Sequence, residues 1–181
     1  MSKIKYLSGL GISLLVVLFL NSSATAAPYG RGIYNENVPY GSQTSLTIGT
    51  SGDTTIQLSP TDTGTLGTNT SDVTVTSTDV VGYKLYVRSI TSNDMVNGPA
   101  TIPASANVSA SALATNTWGY NTDASANFVG MTLTDALIAT RPGPYTAGDL
   151  TTFTYGVKID NEKPAGNYTT SVIYTAVPQT D

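Results

Sequence analysis

The chain of 181 residues has no cysteine and no histidine, a single tryptophan, and charged residues at only 11% of its positions. Each shortage removes a class of chemistry. Many exported domains are stapled by disulfides, so a cysteine-free one points to a bacterial surface where they are not routinely formed. Without His or Cys, the usual acyl-transfer triads and zinc sites lack their residue types. Long apolar runs are also absent, apart from Leu10 to Leu20. That run is about half of the roughly 20 residues needed to span a bilayer.

Its context explains it. Lys3 and Lys5 precede the run and small polar residues follow, giving the three parts of a secretory signal. Ala24 and Ala26 are the small residues a signal peptidase requires, so cleavage is expected after Ala26, with no membrane span left afterwards. Removing residues 1–26 deletes two of eight cations and none of twelve acids, leaving 6 − 12 = −6. An acidic, His-free chain is a poor match for nucleic acid or an anionic membrane, where clustered Lys and Arg are rewarded. The remaining roughly 155 residues suffice for one domain with a single core.

What is present is Thr, Ser, Gly and Asn, a mixture that also occurs in disordered stalks. Alternation argues for folding. In "TTFTYGVKI" the apolar residues are Phe153, Tyr155, Val157 and Ile159, separated by Thr152, Thr154, Gly156 and Lys158. That is the period of a half-buried strand. Shorter runs recur at Leu46 and Ile48, Ile56 and Leu58, Val73 and Val75, Tyr83 to Val87, 108–113, 128–133 and 168–177. Gly, Pro, Asn and Asp separate them, as turns require.

Roughly seven to nine short strands in one domain predict an all-β fold, an antiparallel immunoglobulin-like β-sandwich. The sandwich domain is expected over 44–181, after an extended Gly/Pro/Tyr lead-in at 27–43. Residues 134–140, "TDALIAT", contain helix formers and predict one helical turn capped by Thr134. Asn161, Pro164 and Gly166 are turn residues between 151–159 and 168–177, so these two segments are expected to pair as a hairpin. Pro178, lacking an N–H, is expected to end the last strand. Tyr168 stands where immunoglobulin-like sandwiches place a tyrosine corner.

Candidate sites are few. Asp53, Asp62, Asp72, Asp79, Asp123 and Asp160 fall at or near loops, but none belongs to a D-x-D-x-D-G calcium run. Single loop aspartates usually form turns, and neither a metal nor a cofactor is expected. No acid lies in an apolar run that would raise its pKa for glycoside hydrolysis, with Asp160 and Glu162 in a turn. Lys84 with Asn167 is the candidate for an internal amide crosslink, though Lys84 alternates away from Tyr83 and Leu85. The sequons at Asn69, Asn107 and Asn167 are read as products of Thr-rich composition. An enzyme is therefore not expected.

Eleven tyrosines against three phenylalanines give the best binding signal, since Tyr serves packing and wet contact together. Trp118 and Tyr120 lie in "NTWGYNT", between turn residues. Either Trp118 plugs the core while Tyr120 covers an edge, or the pair stacks on sugar rings of a wall polymer or host glycan. Tyr120 is expected to be the more exposed.

"VTVTSTDVVGYKLYVRS", "NTWGYNT" and "TFTYGVKIDNEKPAGNYTTSVIYTAV" together resemble small secreted bacterial surface proteins with one Ser/Thr-rich β-sandwich. The shared features are Gly82, Tyr83 and Leu85 in one strand, a central Trp-Gly-Tyr, and a final Ala-Gly-x-Tyr-Thr strand, over about 72–177. A more distant resemblance is to WxL domains of cell walls, from which Gly119 and Tyr120 after the tryptophan depart. Fimbrial and spore-coat-like subunits also end on such a strand.

These resemblances imply a non-catalytic cell-surface or envelope protein, structural or adhesive. Two alternatives stay open. One is a carbohydrate or cell-wall binding module using Tyr120 and Trp118. The other is a pilus-like subunit whose lead-in 27–43 adds a strand to a neighbour. Expected partners are a wall polymer, a glycan, another surface protein or further copies of the chain. No Leu-Pro-x-Thr-Gly motif and no C-terminal apolar tail occur, so surface attachment is expected to be noncovalent, through a partner, or absent.

Overall fold

The computed structural model describes residues 45–179. The expected signal segment 1–26, the lead-in 27–43 and the outermost residues of the expected domain lie outside them. The described residues form nine strands: β1 (Ser45–Thr50), β2 (Thr65–Thr78), β3 (Gly82–Ser89), β4 (Met95–Asn97), β5 (Ala100–Ile102), β6 (Thr117–Asn121), β7 (Ala136–Pro142), β8 (Asp149–Ile159) and β9 (Val172–Gln179). One antiparallel sheet has the order β1-β2-β8-β6, a second has β7-β3-β9, and β4 and β5 form a small hairpin. The fold is all-β, as the alternation predicts.

Alternation also decides which face is buried. Val73 and Val75 of β2, Tyr83, Leu85 and Val87 of β3, and Phe153 of β8 are fully buried, while Asp72, Thr74, Lys84 and Thr152 project the other way. The inner faces of the two larger sheets share one core. Phe153 of one sheet lies 4.9 Å, ring to ring, from Tyr174 of the other. Tyr155 and Tyr174 join their hydroxyls between the sheets. Burying large rings supplies apolar area, and the paired hydroxyls avoid leaving a polar tip unsatisfied.

A third layer covers the outer face of the first sheet. Gly119 of β6 is paired with Gly156 of β8, and a Cβ on Gly156 would lie 2.5 Å from the ring of Phe128. The two glycines leave a bare window in the sheet, and Phe128 sits over it, 1% exposed. Residues Phe128 and Val129 are held there by single bridges to Ser111 and Tyr120.

Several expectations are corrected. Ile56 and Leu58 alternate inward but belong to no strand: the segment 51–58 lies along β2, tied by Asn69 Nδ2 to the Thr55 carbonyl at 2.8 Å and by Thr54 Oγ1 to the Thr70 carbonyl at 3.1 Å. Beyond one backbone bond, from the Ser51 N–H to the Asp72 carbonyl at 2.9 Å, side-chain bonds replace the ladder there. Residues 108–113 and 128–133 form only isolated bridges, and Val108 is 94% exposed. Residues 134–140 contain no helix, and Ala136–Pro142 is β7. A bulge opposite Leu85 and Tyr86 leaves Ile138 as the extra residue, so Ile138 and Ala139 both pack against the core. Strand pairing with β3 overrides the helix-forming residue types that suggested a turn of helix.

The expected hairpin of 151–159 with 168–177 does not form. β8 pairs with β2 and β6, whereas β9 pairs with β3 in the other sheet, so residues 160–171 cross between layers. Both strands bury one face, and facing each other across the core satisfies that as well as lying side by side. Pro178 does not stop β9, which runs on to Gln179 with Pro178 opposite Tyr83. β9 is the last strand of its sheet among the described residues, and an edge position tolerates a missing N–H.

Candidate functional site

The Trp-Gly-Tyr segment is a strand, β6, that begins just after Asn116, whose φ of 65° makes the turn. Residues two apart in a strand share a face. Trp118 and Tyr120 therefore point together into the core, 3% and 5% exposed. The exposed stacking pair is corrected: neither ring presents a face to solvent. Trp118 Nε1 donates to the Asn93 carbonyl at 2.9 Å, and Tyr120 packs 6.0 Å, centroid to centroid, from Phe153. Tyr120 borders a recess of about 390 Å³ with Met131 and Asn93.

Trp118 instead forms part of the floor of a larger cleft, about 930 Å³, on the side of the sandwich where β1 and β9 are the outer strands. Tyr155, Val157 and Ile159 of β8, Val172 and Tyr174 of β9, and Met95 and Ile102 of the hairpin complete its floor. One lip is the strandless segment 52–58, which contributes Ile56 and Leu58. It approaches so closely because residue 67 is glycine: a Cβ there would lie 2.5 Å from Leu58 Cδ2. The other lip is 166–171, the start of the approach to β9. Tyr168 Oη donates to the Pro164 carbonyl at 2.8 Å, four residues upstream, and pins that lip.

The rim is largely polar: Thr54, Thr55, Gln57, Asn167, Thr169 and Thr170 line it, and among the described residues that line it Asp53 is the one charged side chain. Inside, burial pushes the Tyr155 phenol well above its ordinary value, helped by Tyr174, and burial pushes Tyr174 upward too. Both stay protonated at neutral pH, with their hydroxyls bonded to each other. The cleft can hold an uncharged chain with apolar side groups and can bond its polar atoms at the rim.

Four of the six candidate loop aspartates, Asp62, Asp72, Asp123 and Asp160, are held by bonds within the fold. Asp123 is held below the usual carboxylate range by the Ser125 backbone N–H, and Asp160 by the Asn116 amide. Asp72 accepts from Thr152 Oγ1 at 2.6 Å, and Asp62 from the Asn161 amide. Among the described residues no group of three or more His, Cys, Asp or Glu could hold a metal ion. Asn69 and Asn107 spend their amide N–H groups on backbone carbonyls within the fold.

Sequence reasoning missed Tyr155, Tyr174 and the 52–58 lip as cleft residues. The signal was present in the parity of Tyr155 and Tyr174 along their strands, but parity gives a face, not whether that face is roofed. Among the described residues no helix is long and apolar enough to cross a membrane. Compared with known proteins, the chain matches no family model, no curated protein and no solved structure.

Proposed function

We propose that this chain is an exported, non-catalytic surface protein, structural or adhesive, that acts by contact through the open side of an immunoglobulin-like sandwich. The observation that carries the reading is the cleft, with its aromatic floor and its hydroxyl and amide rim. Such a lining suits a neutral extended chain. Residues 1–26 support export, through their signal-like layout.

Three features support the immunoglobulin-like reading. The order β1-β2-β8-β6 matches A-B-E-D, the adjacent β3 and β9 match C and F, and the Tyr168 bond falls at the corner between the E and F counterparts. The departure is β7, which flanks β3 but follows β6 in the chain.

Fractionation of producing cells tests the surface-contact reading. The expected result is the processed chain in the surface fraction, released by protein or polysaccharide competitors. Recovery only from the cytoplasm, with the first 26 residues intact, would sink it.

A second reading, a glycan-binding module, is favoured by the apolar tyrosine ring surface beside the hydroxyl and amide side chains of the rim. Its test is a pull-down on purified wall polysaccharide. Retention should fall at least tenfold for Ile56→Asp, which places a charge on the lip, and unchanged retention would count against it.

A further inference from the structure

The hairpin of β4 and β5 turns on the one Asn-Gly step in the chain. Asn97 and Ala100 pair across the ladder, so Gly98 and Pro99 form a two-residue loop. Gly98 holds a φ of 57°. A positive φ at the first loop position is the requirement of a type II′ turn, which glycine meets without strain. The turn therefore sets a residue with no side chain directly after an asparagine, one of the thermolabile residue types. We propose that Asn97 is a self-modification site, whose side chain closes on the Gly98 nitrogen and converts to aspartate and isoaspartate beside the cleft.

Both reacting groups are open. A Cβ built on Gly98 would meet nothing within 4 Å, and among the described residues its N–H has no hydrogen-bond partner. Asn69, Asn107, Asn116 and Asn121 spend their amide N–H groups within the fold. Among the described residues the Asn97 amide makes no hydrogen bond. The Asn127 and Asn167 amides share that freedom, but the residues after them are Phe128, whose N–H is bonded to the Ser111 carbonyl, and the bulky Tyr168. Ring closure also requires Asn97 to leave its strand conformation. β4 and β5 have three residues each, a two-stranded hairpin is marginal by itself, and its closing pair opens by fraying.

The step needs only water. Hydroxide takes the Gly98 amide proton, the nitrogen bonds to Asn97 Cγ, and the Cγ–Nδ2 bond breaks as the leaving nitrogen takes up protons and departs as ammonia. Water then opens the succinimide. Cleavage between Cγ and the Gly98 nitrogen gives aspartate, and cleavage between the Asn97 main-chain carbonyl and that nitrogen gives isoaspartate, whose main chain runs through Cβ and Cγ.

Position gives the change a consequence. The Asn97 amide lies against Gly166, where an added Cβ would overlap it. Next to it, Val96 N–H donates to the Thr169 carbonyl at 2.8 Å and Thr169 N–H to the Val96 carbonyl at 3.0 Å. These two bonds tie the hairpin to the 166–171 lip, while Met95 and Ile102 of the hairpin form part of the cleft floor. Isoaspartate lengthens the main chain by one atom beside Val96, and either product puts a carboxylate where a neutral amide met the lip. Both changes loosen the lip. A weaker contact through the cleft follows, a consequence that rests on the surface-contact reading, whereas the modification itself does not.

Incubation of the purified folded chain at mildly alkaline pH, followed by digestion and mass spectrometry, tests the proposal. The peptide carrying residue 97 is expected to exchange an amino for a hydroxyl group in mass and to split into aspartyl and isoaspartyl forms, at least about tenfold faster than any other asparagine peptide. The rate should rise with pH, since the deprotonated nitrogen attacks, and Asn97→Ser should yield no isoaspartate in that peptide. Amide hydrogen exchange at Val96 and Thr169 is expected to be about tenfold faster in the converted chain than in the fresh one. Asn97 persisting in the folded chain while a synthetic peptide of residues 93–102 converts fully would overturn the proposal, because the fold would then protect the step. Equal conversion at other asparagines overturns it too, and unchanged exchange at Val96 and Thr169 overturns the loosening of the lip. None of these readouts involves a partner, so failure of the surface-contact reading leaves them unmoved.

Discussion

At the residue scale, small side chains decide as much as large ones. Gly156 exists because Phe128 lies against it, and the ring would meet a methyl at 2.5 Å. Gly156→Ala is expected to destabilise the fold by about 1–3 kcal/mol, the range for overpacking a filled core. Urea denaturation checks this, and a variant as stable as the parent would mean that Phe128 does not sit on the sheet. Trp118 teaches the opposite lesson. Its type and rarity were legible, but its burial is set by groups distant in the chain, Tyr155 of β8 and the Asn93 carbonyl among them, that no local reading supplies. Tyr168 Oη bonds the Pro164 carbonyl only four residues upstream, a contact within reach of a local reading.

At the element scale, alternation identified β2, β3 and β8, where one face is buried and the other wetter, and it also marked β1 and β9, whose residues are half-buried or exposed. It failed where the chain departs from a flat strand. β7 was expected as a helical turn from its helix formers and a Thr134 cap, whereas it is a strand whose bulge turns Ile138 and Ala139 inward together and leaves Leu137 55% exposed. Ile138→Ala is expected to cost about 1–2 kcal/mol, toward the low end for aliphatic truncation because the residue is only partly buried. Leu137→Ala should stay within about 0.5 kcal/mol, as for an exposed position. Thermal melts of the two variants check the ordering, and a larger loss for Leu137→Ala would contradict the bulge.

At the scale of the whole molecule, the two sheets are joined by phenols as well as by apolar contact. Burial is the main cause that pushes the hydroxyls of Tyr83, Tyr120, Tyr155 and Tyr174 upward, and Tyr83 is held further by its bond to Asp149. A group whose folded pKa exceeds its unfolded one contributes stability that is complete below the unfolded value, about 10 for tyrosine. As pH rises above that value the unfolded chain ionises first and stability declines. Urea midpoints should therefore be flat in pH from about 7 to 9.5 and fall steeply beyond, with these four tyrosines gaining phenolate absorbance only on unfolding. Complete ionisation of all tyrosines near pH 10 in the folded state would refute the buried arrangement.

By itself the sequence determined the all-β class, the core faces of the long strands and the turn chemistry between them, because side-chain parity and turn residues are local properties. It also carried the signal-like start and the shortage of catalytic residue types. The tertiary structure alone decided that β8 and β9 lie in different sheets, that Trp118 and Tyr120 are both enclosed, and that a cleft opens beside β9. Pairing joins residues far apart in the chain, and two strands that each bury one face satisfy that demand equally in one sheet or across two. The choice is made by how all the strands fill a shared core.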